Sequence, residues 1–313
     1  MNGLAITAVG VASGQAATGL PALAEIARWP NAPAPTGGGD PAAATRALMA
    51  LRRKTGLRYL DPVVERGVRA IEAADSDRGD SAALEGDPEQ VLRTGILMVT
   101  RLGPTSTREQ LYKSMNERQG KGVSATLFSS CGFNIASAVM AKVRAIRGPS
   151  LTFAAAPRWG GRVLRFAEGL FARGTVDRLF LSYADGDAAI VLRAEPWERV
   201  EDRAVPRVLR LVEGLGRALR NSGRPCLVLG TEGDLTRARE SDGAGRDWRA
   251  VPLRIQGHSP GLAADPTFLS LAWLWETQLA EPAARLEVDV ADGVVIAPGA
   301  DSSERFAREG AAP

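Results

Sequence analysis

Residues 148–187, GPSLTFAAAPRWGGRVLRFAEGLFARGTVDRLFLSYADGD, decide the fold. They predict a strand, a sharp turn, a helix and a second strand in close succession. Leu151, Thr152 and Phe153 favour a strand, and no charge interrupts residues 153–156, the pattern of a strand buried on both faces. Gly160 and Gly161 make a close turn. Val163, Phe166, Ala167, Leu170 and Phe171 then recur at helical spacing, and Gly174 ends the helix. Residues 177–183 supply the next strand.

This unit resembles the heart of the β-ketoacyl-carrier-protein synthases, which have the thiolase fold. In that family GPS leads into a strand, then Ala-Cys, a small-residue turn and a helix, with Gly-x-x-Asp opening the following strand. Gly148, Pro149, Ser150, Ala156, Gly160, Gly174 and Asp177 all fall in register with that pattern. The position of the nucleophilic cysteine holds Pro157. The resemblance therefore implies a ketosynthase scaffold that cannot condense.

The bulk composition narrows the class. Hydrophobic residues make up 45% and charged residues 24% of 313, which is the balance of a globular protein with ample chain for a large core. The net charge is +3, with arginine dispersed among acids rather than gathered in a block, so nucleic-acid binding is not indicated. No apolar run is long enough to span a bilayer, and residues 1–14 lack the basic head of a signal peptide. Two cysteines, Cys131 and Cys226, make neither a disulfide nor a metal pattern. A cytoplasmic location is the expectation.

Taken in order, residues 4–11 predict a buried first strand, residues 20–29 a short helix and residues 31–41 a Pro/Gly-rich loop. Helices are expected over 43–54 and 62–74, followed by a polar loop over 75–88. The cluster Arg52, Arg53, Lys54 reads either as a solvated helix end or as a landing spot for an acidic carrier protein. Residues 93–100 predict a strand. Residues 128–147 predict one helical segment with an apolar stripe through Ile135, Val139, Met140, Val143 and Ile146. Beyond the strand expected at 187–192 and a connector at 196–206, residues 208–221 predict a helix, 225–230 a strand and 231–249 a polar loop region. Residues 268–279 predict an apolar helix, and Val288 with residues 294–297 the last strands. The expected fold is α/β, the five-layered αβαβα arrangement of thiolase-like proteins. Residues 1–195 form its ketosynthase-like N-terminal half and 196–313 a shortened C-terminal half.

Decarboxylative condensation needs a thiolate, two histidines and an oxyanion hole. Proline at 157 removes the thiol and also a backbone N–H. In the family the nucleophile's own N–H helps to form the oxyanion hole, and losing one such donor alone lowers rates by about 10²-fold. Proline is tolerated in the first turn of a helix, so the structure survives the change. The resemblance places Leu229, in Leu229-Gly230-Thr231, at the first histidine position. It places His258, in a Gly-His-x-x-Gly-x-Ala stretch, at the second, with Leu253 at the lysine position. The closing glycine loop of the family is replaced by PGADSSERF, residues 298–306.

His258 is the sole histidine, and a lone imidazole is read as a relic or a structural group. No metal site is expected, and the run Gly37-Gly38-Gly39 lacks the lysine and helix of a phosphate loop, so no cofactor is expected either. Cys131 is read as a structural thiol. Trp159 is either simple packing or a plug in the vacated acyl entrance. Gly132, Phe133, Thr152, Phe153 and Trp159 are the expected acyl-tunnel or interface residues.

The resemblance extends to the chain-length-factor subunits, which also lack the cysteine. It implies a non-catalytic subunit paired with an active ketosynthase, acyl carrier protein as a further partner, and a homodimer as the fallback. Two alternatives stay open: a divergent acyltransferase or hydrolase using His258 with a hydroxyl, and a carrier-protein or acyl-binding module.

Overall fold

The computed structural model describes residues 3–13, 22, 27–28, 41–78, 88–117, 119–154, 159–185, 188–201, 203, 205, 207–213, 215, 226–231, 234–238, 248–252, 254–255, 265–279, 284–291 and 294–298. Strands β1 (Leu4–Ser13), β3 (Thr94–Thr100), β4 (Ser150–Ala154), β5 (Arg178–Asp185) and β6 (Ala188–Pro196) belong to the first part of the chain. Strands β7 (Arg207–Leu211), β8 (Cys226–Gly230), β9 (Trp248–Pro252), β11 (Ala284–Ala291) and β12 (Val294–Pro298) belong to the second. They hydrogen-bond in the order β4-β3-β5-β6-β1-β7-β11-β12-β8-β9. A two-residue strand β2 (Ala27–Arg28) pairs separately with β10 (Arg254–Ile255).

Both sets of five place their first strand, β1 or β7, at the junction and a closing hairpin next to it. The hairpins enter in opposite senses. β6 lies antiparallel to β1, whereas β11 lies parallel to β7. The outer strands β3–β4 and β8–β9 are parallel pairs, as crossover connections through helices require.

Three apolar layers follow from this order. Helices Pro41–Thr55, Pro62–Arg78 and Ile135–Val143 bury Leu51, Ile71, Val139 and Met140 against Ile96, Met98, Phe180 and Val191 on one face of the first strands. The opposite face carries Leu97, Val99, Leu179 and Leu181, packed with the helices Gly160–Ala172 and Pro266–Gln278. That cluster also takes in Leu227, Leu229, Val295 and Ala297 from the second set, so these two helices form the central layer. Val228, Leu235, Val294 and Ile296 make a smaller cluster. The fold is the thiolase-like α/β fold expected from residues 148–187.

Several local expectations are corrected. Residues 208–221 do not open as a helix: Arg207–Leu211 is a strand between β1 and β11. A short apolar run fits either period, and pairing on both sides decides it. The segment 128–147 is not one helix but two pieces, Ala125–Ser129 and Ile135–Val143, separated by a turn. The Ser129 and Ser130 hydroxyls both donate to the Thr126 carbonyl, at 3.0 and 2.9 Å, and the Ser130 amide, the C-cap of the first piece, reaches the same carbonyl at 3.2 Å. The polar region 231–249 contains a helical turn at 234–238 and the start of β9. In the segment 20–29, Ala22 is helical while Ala27–Arg28 is extended, and the other residues lie outside those described. Helix Thr105–Glu117 had no sequence-based expectation.

Buried charge ties the helices to the sheet. Arg193, 1% exposed, donates to Glu195 Oε1 at 3.2 Å and lies 3.8 Å from Asp75 Oδ1. Arg144 pairs with the same Asp75, and Arg203 reaches Glu195 Oε2 at 2.9 Å. The Thr7 hydroxyl donates to Glu195 Oε1 at 3.2 Å. Removing one charge from such a buried set leaves its partners uncompensated. Glu195→Gln is expected to lower stability by about 3–5 kcal/mol, measured by urea unfolding. A second ion pair closes the elbow unit: Arg93 grips Asp177 through two bonds of 2.5 Å, and Arg199 adds a contact at 2.9 Å. The Arg93 hydrogen bonds hold the Asp177 carboxyl below its usual range. Because the folded value lies below the unfolded one, this stabilisation is present above the unfolded value and lost as pH falls through the folded one. Asp177→Asn is expected to flatten the acid side of the stability profile, read from unfolding midpoints across that window.

Candidate functional site

The elbow lies where β4 runs toward helix Gly160–Ala172. β4 hydrogen-bonds to β3 and is the outermost strand on its side of the sheet. Its side chains alternate between the two faces. The Thr152 hydroxyl meets the Ser137 hydroxyl at 2.8 Å, on the side covered by helix Ile135–Val143. Phe153 turns the other way, with its ring 5.5 Å from Phe166 and 6.4 Å from Trp159. Trp159 stands at the N-cap of the helix, and the Arg162 guanidinium lies 5.1 Å over its ring. Leu151 and Phe166 remain 40% and 38% exposed. The structure thus brings Thr152, Phe153 and Trp159 together around one exposed strand.

Gly132 and Phe133 sit in the turn between the two helical pieces. Phe133 packs against Gly103, and the Arg108 guanidinium lies 4.9 Å over its ring. Their link to the elbow runs through helix Ile135–Val143 and the Ser137–Thr152 bond rather than through direct contact with Phe153 or Trp159 in the described geometry.

Leu229 is fully buried in β8, flanked by Val295 of β12 and Val251 of β9. The position at which the resemblance expects an imidazole is therefore apolar core. Pro157, Leu253 and His258 lie outside the described residues. Cys131 is half-buried, with its thiol 3.1 Å from the Leu127 carbonyl and 3.5 Å from that of Thr107. Burial pushes the thiol pKa up, which lowers the thiolate fraction. That geometry suits a structural thiol.

Two carboxylates that the sequence reading did not single out organise the surroundings. Asp185, at the end of β5, accepts from the Thr100 hydroxyl at 2.9 Å and from the amides of Arg101 and Leu102 at 2.7 and 2.8 Å. The Tyr183 hydroxyl donates to it at 3.3 Å, and burial raises the phenol pKa so that Tyr183 stays neutral. Asp265 caps helix Pro266–Gln278, accepting the Thr267 amide at 3.0 Å. Its second oxygen accepts the Gly160 amide of the elbow helix at 2.9 Å. The signal for Asp265 was present as Asp-Pro before an apolar helix, an N-cap followed by proline at the first helical position. Among the described residues no group of three or more His, Cys, Asp and Glu could hold a metal ion, and no helix is long and apolar enough to cross a membrane.

No family model and no curated protein matches the chain. Solved structures do. The chain is similar in structure to one chain of a complex of a type II polyketide-synthase acyl-carrier protein with its ketosynthase bound to the hexaketide, with a TM-score of 0.60 at 11% identity, covering 95% of this chain and 98% of that one. It is also similar to a β-ketoacyl synthase from Burkholderia phymatum, with a TM-score of 0.56 at 11% identity over 96% and 100% of the two chains. The ishigamide ketosynthase/chain length factor gives a TM-score of 0.53 at 17% identity over 94% and 98%. These likenesses establish a thiolase-like fold of the ketosynthase kind.

Alkylation checks the reading of Cys131. Iodoacetamide is expected to modify it about tenfold or more slowly in the folded protein than in urea, followed by intact mass and peptide mapping. Equal rates would contradict a tucked, protonated thiol.

Proposed function

We propose that the protein is a non-catalytic ketosynthase-like subunit that pairs with an active β-ketoacyl synthase and shapes its acyl tunnel. The observation that carries this reading is β4. It is an uncharged strand, SLTFA, at the outer edge of a large sheet, flanked by Phe166 and Trp159 and leading to a proline where the resemblance expects the nucleophile. Natural edge strands are normally guarded by charge, proline or a covering element, and an unguarded one invites a partner strand. A second strand laid along β4 takes up its free backbone groups and meets Leu151 and Phe153.

Pro157 and Leu229 support the absence of catalysis, since neither can supply a thiolate or a proton-transfer group. Two of the similar structures are of a ketosynthase with its carrier protein and of a ketosynthase/chain length factor, which suits a role in polyketide or fatty-acid-like assembly. The carrier protein is then a partner of the pair, and a homodimer is the alternative assembly.

Analytical ultracentrifugation of the protein with an active ketosynthase encoded beside it tests this. The wild-type protein is expected to form a heterodimer. Phe153→Asp and Thr152→Lys are expected to abolish it, because each puts a charge on the strand being covered. Arg52→Glu, on helix Pro41–Thr55, leaves it intact. The protein alone, given acyl- and malonyl-loaded carrier protein, is expected to show no condensation. A strictly monomeric wild-type protein in that mixture, or turnover above a Cys131→Ala, His258→Ala background, overturns the reading.

A further inference from the structure

Helix Gly160–Ala172 has one charged face, and that face adjoins the free edge of β4. Arg162, Phe166, Gly169 and Arg173 follow one another at spacings of three and four, with Arg165 beside Phe166, so they share one side of the helix. Arg162, Arg165, Phe166 and Arg173 are exposed, whereas Val163, Leu164, Ala167 and Leu170 are buried in the central layer. Phe166 fixes the direction of the stripe, because its ring lies 5.5 Å from that of Phe153 on β4. Arg162 stacks over Trp159, whose ring is 6.4 Å from Phe153.

The three guanidinium groups form no ion pair among the described residues. Glu168, the single acid of the helix, is half-buried and feels Glu213 as well as Arg165. Asp177, just past the helix, is held by Arg93 and Arg199. Arg147, exposed shortly before β4 begins, adds a further cation without an ion pair. The strand itself carries no charge, so the sign of its surroundings is set by these arginines.

Charge beside an edge strand rejects like-charged partners and admits complementary ones. A two-fold axis that lays β4 antiparallel on its own copy keeps both Gly160–Ala172 helices on the same side of the joined sheet. Each arginine stripe then faces the identical stripe of the other copy, and like charges meet across the axis. A different chain that carries acids on the helix beside its pairing strand meets attraction instead.

We propose that Arg162, Arg165 and Arg173 form a partner-selecting surface, which accepts a protein with an acidic helix beside its pairing strand and rejects a second copy of this chain. This rests on the subunit reading, with β4 as the pairing edge. It adds the charge that the partner carries and argues against the homodimer.

The test pairs the protein with a charge-inverted copy of itself. The Arg165→Glu, Arg173→Glu double variant leaves the stack of Arg162 on Trp159 intact. Sedimentation velocity at low salt reads assembly, and circular dichroism reads folding. Wild type and double variant are each expected to self-associate weakly, and their equimolar mixture to dimerise about tenfold or more tightly than either alone. High salt removes that gain, and Phe153→Asp in the wild-type member abolishes the mixed dimer. The neutral Arg165→Gln, Arg173→Gln variant removes the repulsion and is expected to self-associate more tightly than the wild type. With the active ketosynthase, the double variant is expected to bind about tenfold or more weakly, and Arg52→Glu to bind as the wild type does.

Wild type that self-associates as tightly as the mixture overturns the proposal, as does a folded mixture that stays monomeric. A double variant that does not fold makes these arginines part of the scaffold, and the proposal falls. A heterodimer that forms with unchanged affinity in the double variant counts against charge selection alone. Absence of any heterodimer while the mixed dimer forms counts against the subunit reading alone.

Discussion

The carboxylate of Asp265 is shared between two helix starts, and the central layer depends on it. One oxygen satisfies the amide of Thr267 in its own helix, and the other satisfies Gly160 at the head of the elbow helix. A buried carboxylate without a cation beside it is costly unless backbone donors surround it. Burial raises its pKa while the amides of Gly160, Thr267 and Phe268 pull the other way. Replacing the side chain by alanine removes a cap, typically worth about 0.5–2 kcal/mol, and also strands a buried donor on a second helix. The two helices so joined pack against strands of both sets, through Leu97 and Leu181 on one side and Leu227 and Leu229 on the other.

Asp61 repeats the device in the outer layer. Both residues precede proline, both take the amide two residues on with one oxygen, and both reach a distant helix with the other. Proline at the first helical position has no N–H to satisfy and is already set to helical φ, so the carboxylate is left with an oxygen to spare. The outer layer has a further anchor. Arg144 and Arg193 converge on Asp75, and Arg193 and Arg203 on Glu195, which joins helix Pro62–Arg78 to β6.

Legibility in the sequence followed the range of the interaction. The strand and helix of the elbow unit were readable because each carries its own signal, down to Gly174, whose φ of 61° is the left-handed stop that glycine permits. Helix Pro266–Gln278 was readable for the same reason. The elbow strand, however, is a partly exposed edge rather than buried on both faces, and Gly160 and Gly161 open the helix rather than form a turn. Arg207–Leu211 was not, since RVLRL fits a helix as well as a strand until β1 and β11 claim its backbone. The break at residues 130–134 was not legible, because apolar residues run through both helical pieces and do not mark the turn between them. Asp265 and Asp61 were passed over because an aspartate before proline announces a cap, and only the folded chain shows where its second oxygen goes. Of the residues singled out around the elbow, Phe153 and Trp159 meet on one face of β4, while Thr152 faces the other side, toward Ser137 of the helix that follows Gly132 and Phe133.

The strand that precedes Pro157 in the chain is bound to the sheet on one side only. Ser150, Leu151 and Thr152 pair with Ile96, Leu97 and Met98, in the middle of a strand buried along its whole length, so β4 cannot shift register without dragging its partner's core. Thr152 is further fixed by Ser137, and Phe153 by two aromatic neighbours. A strand held this firmly, yet leaving Leu151 substantially exposed, presents its outer backbone groups in one fixed geometry. Preorganisation of that kind lowers the entropic cost of association, because little remains to be ordered when a second strand arrives. That rigidity comes from β3 and Ser137.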